Sequence, residues 1–314
     1  MRQGNGNETA TKRNRNGSFI LTEEAVIGLL SIQRYRFLTI EQCARIAGLN
    51  PETASKQLRR FEQFGLLGHF GNTGNRYGKT PKAYFLTRKG FGLLQEECDI
   101  PPELLGSYKE VKVEAAWSPQ MYHRLATVDL LLALESAVLK RPHLALVKTF
   151  LEYRRHKRGE RIVPETADYV DVEESGENKI IPDAAYILEN RQTKRRALFF
   201  LEMDMGSERI TTAFVGNKQT VLHQKFSQYD RYLKSMRFTQ TYKEYGELRS
   251  FTMLFVTLQE ARIENTRREL QDLPKDLSAY YRLTTFEKAM GDFLGAIWKS
   301  RLATDTTHYA LVRE

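Results

Sequence analysis

The stretch TIEQCARIAGLNPETASKQLRRFEQFGLL, residues 39–67, runs directly into GHFGNTGNRYGKTPKAYFLTRKG, residues 68–90. The first part reads as two short helices joined by a tight turn. Thr39 is a suitable N-cap, because its hydroxyl can accept from an N–H of the first turn. Cys43, Ala44 and Ala47 then recur at helical spacing as an apolar stripe. Gly48 stands where that helix ends, since glycine takes a positive φ at little cost. Asn50 caps the next helix, and Pro51 falls at its first position, where a missing N–H costs nothing. Ala54, Leu58 and Phe61 recur at i, i+4, i+7 and face a core. The second part is glycine-rich and reads as a β-hairpin that returns into a strand and a further helix. Over Leu38 to Thr87 this order is that of a winged helix-turn-helix.

The face of the second helix opposite its apolar stripe carries Thr53, Ser55, Lys56, Arg59, Arg60 and Gln63. Such side chains reach base edges and phosphates when a helix lies in the major groove. The hairpin adds Arg76, Lys79 and Lys82 around Gly74 and Gly78, positions from which a wing contacts the phosphate backbone. The expected DNA-binding residues are therefore Thr53, Ser55, Lys56, Arg59, Arg60, Arg76, Lys79 and Lys82. The competing reading is an amphipathic helix pair with a solvated polar face, or a module that binds protein.

Charge separates these readings. The 314 residues carry a net charge of +9. Residues 1–90 hold 15 Lys/Arg against 6 Asp/Glu, and the remaining residues hold 33 of each. All of the excess positive charge lies in the N-terminal region, as expected of a domain that neutralises phosphates on duplex DNA. The first eighteen residues, MRQGNGNETATKRNRNGS, are polar and basic and read as a disordered arm. They lack the apolar core of a secretory signal. No run approaches the roughly 20 apolar residues that a membrane helix needs. Cys43 and Cys98 are the only cysteines, so a disulfide framework and a zinc finger are both disfavoured and a reducing cytoplasm is expected.

The domains expected are a basic arm at 1–18, a winged helix-turn-helix at 19–98, a linker at 99–118 and an α/β domain at 119–314. In the last, an amphipathic helix over Pro119–Leu139 is followed by strands at Leu144–Tyr153, Ile180–Leu188 and Arg196–Met203. The charged stretch from Arg154 to Asn178 reads as loop, with room for a strand at Ala167–Val172. A helix over Lys218–Met236, a strand at Phe251–Thr257, a helix over Glu260–Leu270 and a terminal helix over Glu287–Leu302 complete the order. This is a mixed α/β sheet flanked by helices.

Two of these strands carry acids at their ends. Asp183 precedes the apolar run AAYIL, and the run ALFFL ends in Glu202-Met203-Asp204. Alternation puts Glu202 and Asp204 on one face of their strand, and hairpin pairing would set Asp183 beside Glu202. Three convergent carboxylates suit a hard cation such as Mg²⁺, which can activate water. The other reading is that they are strand-end carboxylates, solvated or paired with Arg191, Arg195 or Arg209.

The arrangement resembles the PD-(D/E)xK nuclease core, as Pro182-Asp183 followed by Glu202-Met203-Asp204. That resemblance implies Asp183, Glu202 and Asp204 as metal ligands and catalytic residues. It departs from the pattern at Asp204, where the family has lysine. Lys225, in HQKFSQYDRY, is either a migrated substitute or a surface lysine. The chain as a whole resembles the replication-relaxation family of plasmid and mobile-element proteins. The resemblance rests on YFLTRKG, HRLATVDLLLAL, PDAAYIL, FFLEMDMGSE and KFSQYDRY, and it covers most of residues 20–260. It implies DNA binding in plasmid replication, relaxation or conjugative transfer, without implying catalysis.

Three functions remain open on the sequence. The first is a non-catalytic DNA-binding accessory protein, the second a metal-dependent endonuclease, and the third a winged-helix transcription regulator. Double-stranded DNA is the expected partner, with a second copy of the chain and replication or relaxase proteins as further candidates. The absence of a GxxxxGK[ST] loop disfavours an ATPase. Tyr229, Tyr232, Tyr242 and Tyr245 raise a tyrosine nucleophile, which the lack of a histidine-rich metal motif disfavours.

Overall fold

In a computed structural model, the structure describes residues 12–13, 20–71, 81–98, 100–111, 119–158, 160–170, 178–206 and 221–312. The chain forms two compact units, Met1–Leu125 and Ala126–Glu314. The division falls inside the helix Pro119–Leu139, so that helix gives its first turns to the first unit instead of opening the second. Of the basic arm, only Lys12–Arg13 is described, and it pairs antiparallel with Ile20–Leu21.

The first unit opens with α1 (Glu23–Tyr35), a helix the sequence reading did not draw. Thr22 caps it by accepting from the Ala25 N–H, and Ala25, Leu29, Ile32 and Tyr35 form its buried face. Strand β1 (Leu38–Thr39) leads into α2 (Ile40–Ala47), which turns at Gly48 (φ 63°) toward α3 (Pro51–Gln63). Strands β2 (Leu67–Phe70) and β3 (Ala83–Leu86) form the wing, and the sheet order is β1-β3-β2. The register sets His69 opposite Tyr84 and Phe70 opposite Ala83. Helix α4 (Arg88–Gly92) then continues through a wider π turn to Glu97. This is a winged helix, with three helices against a three-stranded antiparallel sheet.

The caps behave as the residue types demand. Thr39 Oγ1 accepts from the Gln42 N–H at 3.2 Å, and Gln42 Oε1 accepts from the Thr39 N–H at 3.0 Å. This reciprocal box satisfies two donors that the helix start leaves open. It also explains why Gln42 is buried, for its Nε2 donates to the Leu125 carbonyl at 2.9 Å. The buried face of α2 is thus Gln42 and Ala44, while Cys43 and Ala47 are half-buried. Phe37, Phe70, Ala83, Phe85 and Leu125 make the core beneath the wing.

After α5 (Pro102–Leu105) and α6 (Pro119–Leu139), the second unit is built on a seven-stranded mixed sheet. Its strands are β4 (Leu144–Leu151), β9 (Ala184–Asn190), β10 (Arg196–Asp204), β11 (Phe251–Thr257), β12 (Tyr281–Thr285), β13 (Trp298–Lys299) and β14 (His308–Tyr309). They lie in the order β14-β13-β12-β11-β10-β9-β4. Strands β10, β11 and β12 run parallel, and β4, β9 and β10 form an antiparallel meander. Helix α7 (Val221–Ser235) lies in the crossover from β10 to β11, and α9 (Glu260–Glu269) in that from β11 to β12, with the short α8 (Phe238–Thr241) between α7 and β11. Parallel strands need such crossovers, and a sheet covered on both faces reads as continuous apolar runs. Ile187, Phe200, Met253 and Phe255 pack with Phe226, Tyr229 and Ile263 on one face. On the other, Tyr186 stacks on Phe199 and meets Phe293 edge-on.

Two expectations are corrected. Part of the stretch expected as loop holds β5 (Arg155–Arg158) paired with β6 (Arg161–Pro164), whereas β7 (Asp168–Tyr169), paired with β8 (Lys179–Ile180), falls within the strand expected at Ala167–Val172. Asp168 anchors that region from a buried position, accepting from Arg158 Nη1 at 2.7 Å, Thr241 Oγ1 at 2.6 Å and the Tyr232 hydroxyl. The expected terminal helix stops early. Helix α10 (Phe286–Gly291) breaks at Asp292, and Trp298 belongs to β13. The indole Nε1 donates to the Phe293 carbonyl at 2.9 Å, which holds the intervening Gly-containing turn closed.

Candidate nucleic-acid interface and carboxylate site

Helix α3 presents its polar face as a unit. Asn50 Oδ1 accepts from the Thr53 N–H at 2.8 Å, and Ala54, Leu58 and Phe61 are at most 3% exposed. That buried stripe fixes the rotation of the helix about its axis. Thr53, Lys56, Arg59, Arg60 and Gln63 are consequently exposed together, with Ser55 half-buried at the margin. Lys56 rests against Glu52 one turn earlier, at 2.8 Å. Both are largely solvated, so the pair yields readily to a phosphate. Behind the helix, Glu62 meets His69 Nδ1 of the wing at 2.5 Å. Lys82 is half-buried at the wing base, and Arg76 and Lys79 lie outside the described residues.

In the second unit, the carboxylates gather at the carboxyl end of β10, the region where open α/β sheets commonly hold their ligands. The pairing of Ala184 with Leu201 brings the preceding Asp183 next to Glu202. Asp183 Oδ2 accepts from the Met203 N–H at 2.7 Å. Glu202, only 3% exposed, accepts from Lys225 Nζ at 3.1 Å through Oε2 and from the Tyr229 hydroxyl at 2.5 Å through Oε1. Lys225 and Tyr229 are four residues apart on α7, so both reach the strand from one face of the helix. Burial pushes the Glu202 carboxyl up to about 7, against the pull of Lys225 and with a push from Asp183. Burial, and then Glu202 itself, hold the Tyr229 hydroxyl well above its ordinary value, which keeps it a neutral donor.

Asp204 is engaged elsewhere. Its Oδ2 accepts from Arg262 Nε on α9 at 2.6 Å, and its Oδ1 from the Gly206 N–H at 2.9 Å. The structure therefore brings Asp183, Glu202 and Lys225 together and diverts Asp204 to an arginine. Among the described residues, no three of His, Cys, Asp and Glu converge as metal ligands, where the strands alone suggested three carboxylates. Sequence reasoning missed Arg262, which no spacing signals. It considered Tyr229 only as a nucleophile, although the i, i+4 relation to Lys225 was visible.

Element order and caps thus define a winged-helix protein with an appended mixed α/β unit. The replication-relaxation family model matches residues 29–248, more than half of the chain, and the chain belongs to that family. No curated protein matches. Several solved structures resemble part of it. Bordetella bronchiseptica BpsR, described for regulation of its DNA binding by 6-hydroxynicotinic acid, is 17% identical over 37% of this chain and 80% of its own, with a TM-score of 0.23. A MarR family transcriptional regulator from Silicibacter pomeroyi is 22% identical over 38% and 71%, also at 0.23. The zinc-responsive MarR family member ZitR of Lactococcus lactis is 16% identical over 42% and 80%, again at 0.23. Alignments of that quality leave the winged-helix assignment resting on the elements described above. No helix among the described residues is long and apolar enough to cross a membrane.

Proposed function

We propose that the chain is a DNA-binding accessory protein of plasmids or mobile elements, acting in replication, relaxation or conjugative transfer. Its α3 would lie in the major groove of duplex DNA. The observation that carries this reading is the single exposed face holding Thr53, Lys56, Arg59, Arg60 and Gln63, on a helix whose rotation is locked by Ala54, Leu58 and Phe61. The N-terminal location of the whole net charge agrees with it. Replacing Lys56, Arg59 and Arg60 together with alanine is expected to abolish tight duplex binding and flatten its salt dependence, measured by fluorescence anisotropy. Retention of both would sink the assignment.

One observation favours a second reading, a metal-dependent endonuclease. Lys225 stands against Glu202, where a lysine displaced from the position of Asp204 would have to act. Two neighbouring carboxylates are a fitting donor set for Mg²⁺, which takes one or two and keeps several waters. A bound divalent cation would supply charge neutralisation and an activated water. The share of this chain would be Asp183 and Glu202 as ligands, Lys225 to orient the attacking water, and Tyr229 to hold the Glu202 carboxylate in one rotamer. Incubation with supercoiled and linear DNA in Mg²⁺ or Mn²⁺ decides the matter. Cleavage that disappears in both Glu202→Ala and Lys225→Ala establishes the enzyme, and intact DNA under all conditions leaves the accessory role.

A further inference from the structure

The turn between β9 and β10 concentrates positive charge within residues 91–314, whose Lys/Arg and Asp/Glu are equal in number. It reads NRQTKRR over residues 190–196, between two apolar strands. The turn is tightly tied. Asn190 Oδ1 accepts from the N–H groups of Gln192 and Thr193, each at 3.0 Å, and the Asn190 carbonyl accepts from the Lys194 N–H at 2.7 Å. Lys194 is thereby held at φ 58°. Arg196 clips this turn to the loop before β11, its Nε donating to Glu189 at 2.8 Å and its Nη1 to the Tyr245 carbonyl at 2.7 Å.

Between turn and loop lies an open cleft of about 540 Å³, lined by Lys194, Arg195, Arg196 and Arg249 together with Tyr245, Gly246 and the single acid Glu247. The two nearest acids do not cancel it. Glu189 is engaged by Arg196 and lies 3.8 Å from Lys194, whose side chain is 75% exposed, and the Arg249–Glu247 pair is 85% and 79% exposed; both exposed cations are therefore held weakly. Arg195 is exposed and makes no ion pair among the described residues. Arginine forks match phosphate oxygens two at a time. The cleft lacks the apolar enclosure that small-molecule pockets provide, which favours a polymer that passes along it. It is also distinct from the carboxylate site, since Arg196 and Glu202 stand ~20 Å apart along β10 at about 3.3 Å per residue.

We infer that this cleft is a second DNA-contact surface, in which Lys194, Arg195 and Arg249 bind the phosphodiester backbone and Arg196 holds the two walls in place. The inference rests on the reading of the chain as a DNA-binding protein. It is tested on the full chain with a labelled duplex, comparing the wild type, the triple α3 variant, and a cleft variant carrying Lys194→Asn, Arg195→Ala and Arg249→Ala. Asparagine is chosen at 194 because it tolerates a positive φ. Arg196 is left in place because it is structural. The cleft variant is expected to bind more weakly and to lower the slope of log K against log salt by about two to three, at about 0.9 per lost contact. Arg195→Lys with Arg249→Lys should keep the wild-type slope. A cleft variant with wild-type affinity and slope, beside an α3 variant that no longer binds, overturns the cleft and leaves the winged-helix reading standing. Loss in the cleft variant alone supports the cleft and overturns the role of α3. Should the triple cleft variant fail to fold, Arg249→Glu alone, at a largely exposed position, carries the same comparison.

Discussion

Glu202 is the residue on which the second unit turns. It is an acid placed on an apolar strand beside another acid, and its folded value near 7 lies above the ordinary 4.5. An acid raised in this way contributes stability that is complete below about 4.5 and lost as pH rises through about 7. The melting temperature of the wild type relative to Glu202→Gln is therefore expected to fall across that window. A pH-independent difference would refute it. Tyr229→Phe should push the Glu202 carboxyl higher still and cost about 1–3 kcal/mol, the penalty for a buried acceptor left without its donor. Urea titration at neutral pH reads that cost. Gly90 makes a complementary case. A Cβ at this position would run into the Leu66 carbonyl oxygen and a Leu86 methyl. Gly90→Ala is expected to destabilise the winged unit by about 1–3 kcal/mol, seen as a lower urea midpoint.

At the scale of the element, α3 shows how position follows from local chemistry. The Asn50 cap and Pro51 fix where the helix starts, and the i, i+4, i+7 stripe fixes which way it faces. Leu58→Ala should cost about 2–5 kcal/mol by opening a cavity and should weaken DNA binding with no charge removed. An unchanged affinity would mean that the orientation of α3 does not matter to binding. These features were legible because each depends on neighbours in the chain. Residues 292–302, the latter part of the helix expected over Glu287–Leu302, were misread for the converse reason. The helical pattern of Glu287–Leu302 is real, yet Trp298 is worth more as a fully buried residue in β13, and long-range packing overrides local preference. The short hairpins at 155–164 were likewise hidden, since RHKR and RIVP alternate too weakly to read as strands.

Across the whole molecule, charge and fold divide the chain differently. The first unit, Met1–Leu125, holds 18 Lys/Arg against 12 Asp/Glu, and the second 30 against 27, so the second is nearly balanced in sum and polarised in detail, with Lys194, Arg195 and Arg196 at one end of β10 and Glu202 and Asp204 at the other. The far C-terminus is anchored by a buried pair. Asp230 Oδ1 on α7 accepts from Arg301 Nη1 at 2.8 Å and from the Tyr281 hydroxyl at 2.6 Å. Arg301→Met should cost about 3–5 kcal/mol by stranding a buried carboxylate. Asp230→Asn in the same background should recover part of that loss in thermal melts. By itself the sequence determined the winged helix, the exposed polar face of α3 and the strands that bear the acids, because caps, turns and periodicity act between residues close in the chain. Only the tertiary structure decided that Lys225 and Tyr229 meet Glu202, that Arg262 takes Asp204, and that Arg196 joins two loops into a basic cleft. Those partners lie 23 to 58 residues apart, and folding alone brings them within hydrogen-bonding distance.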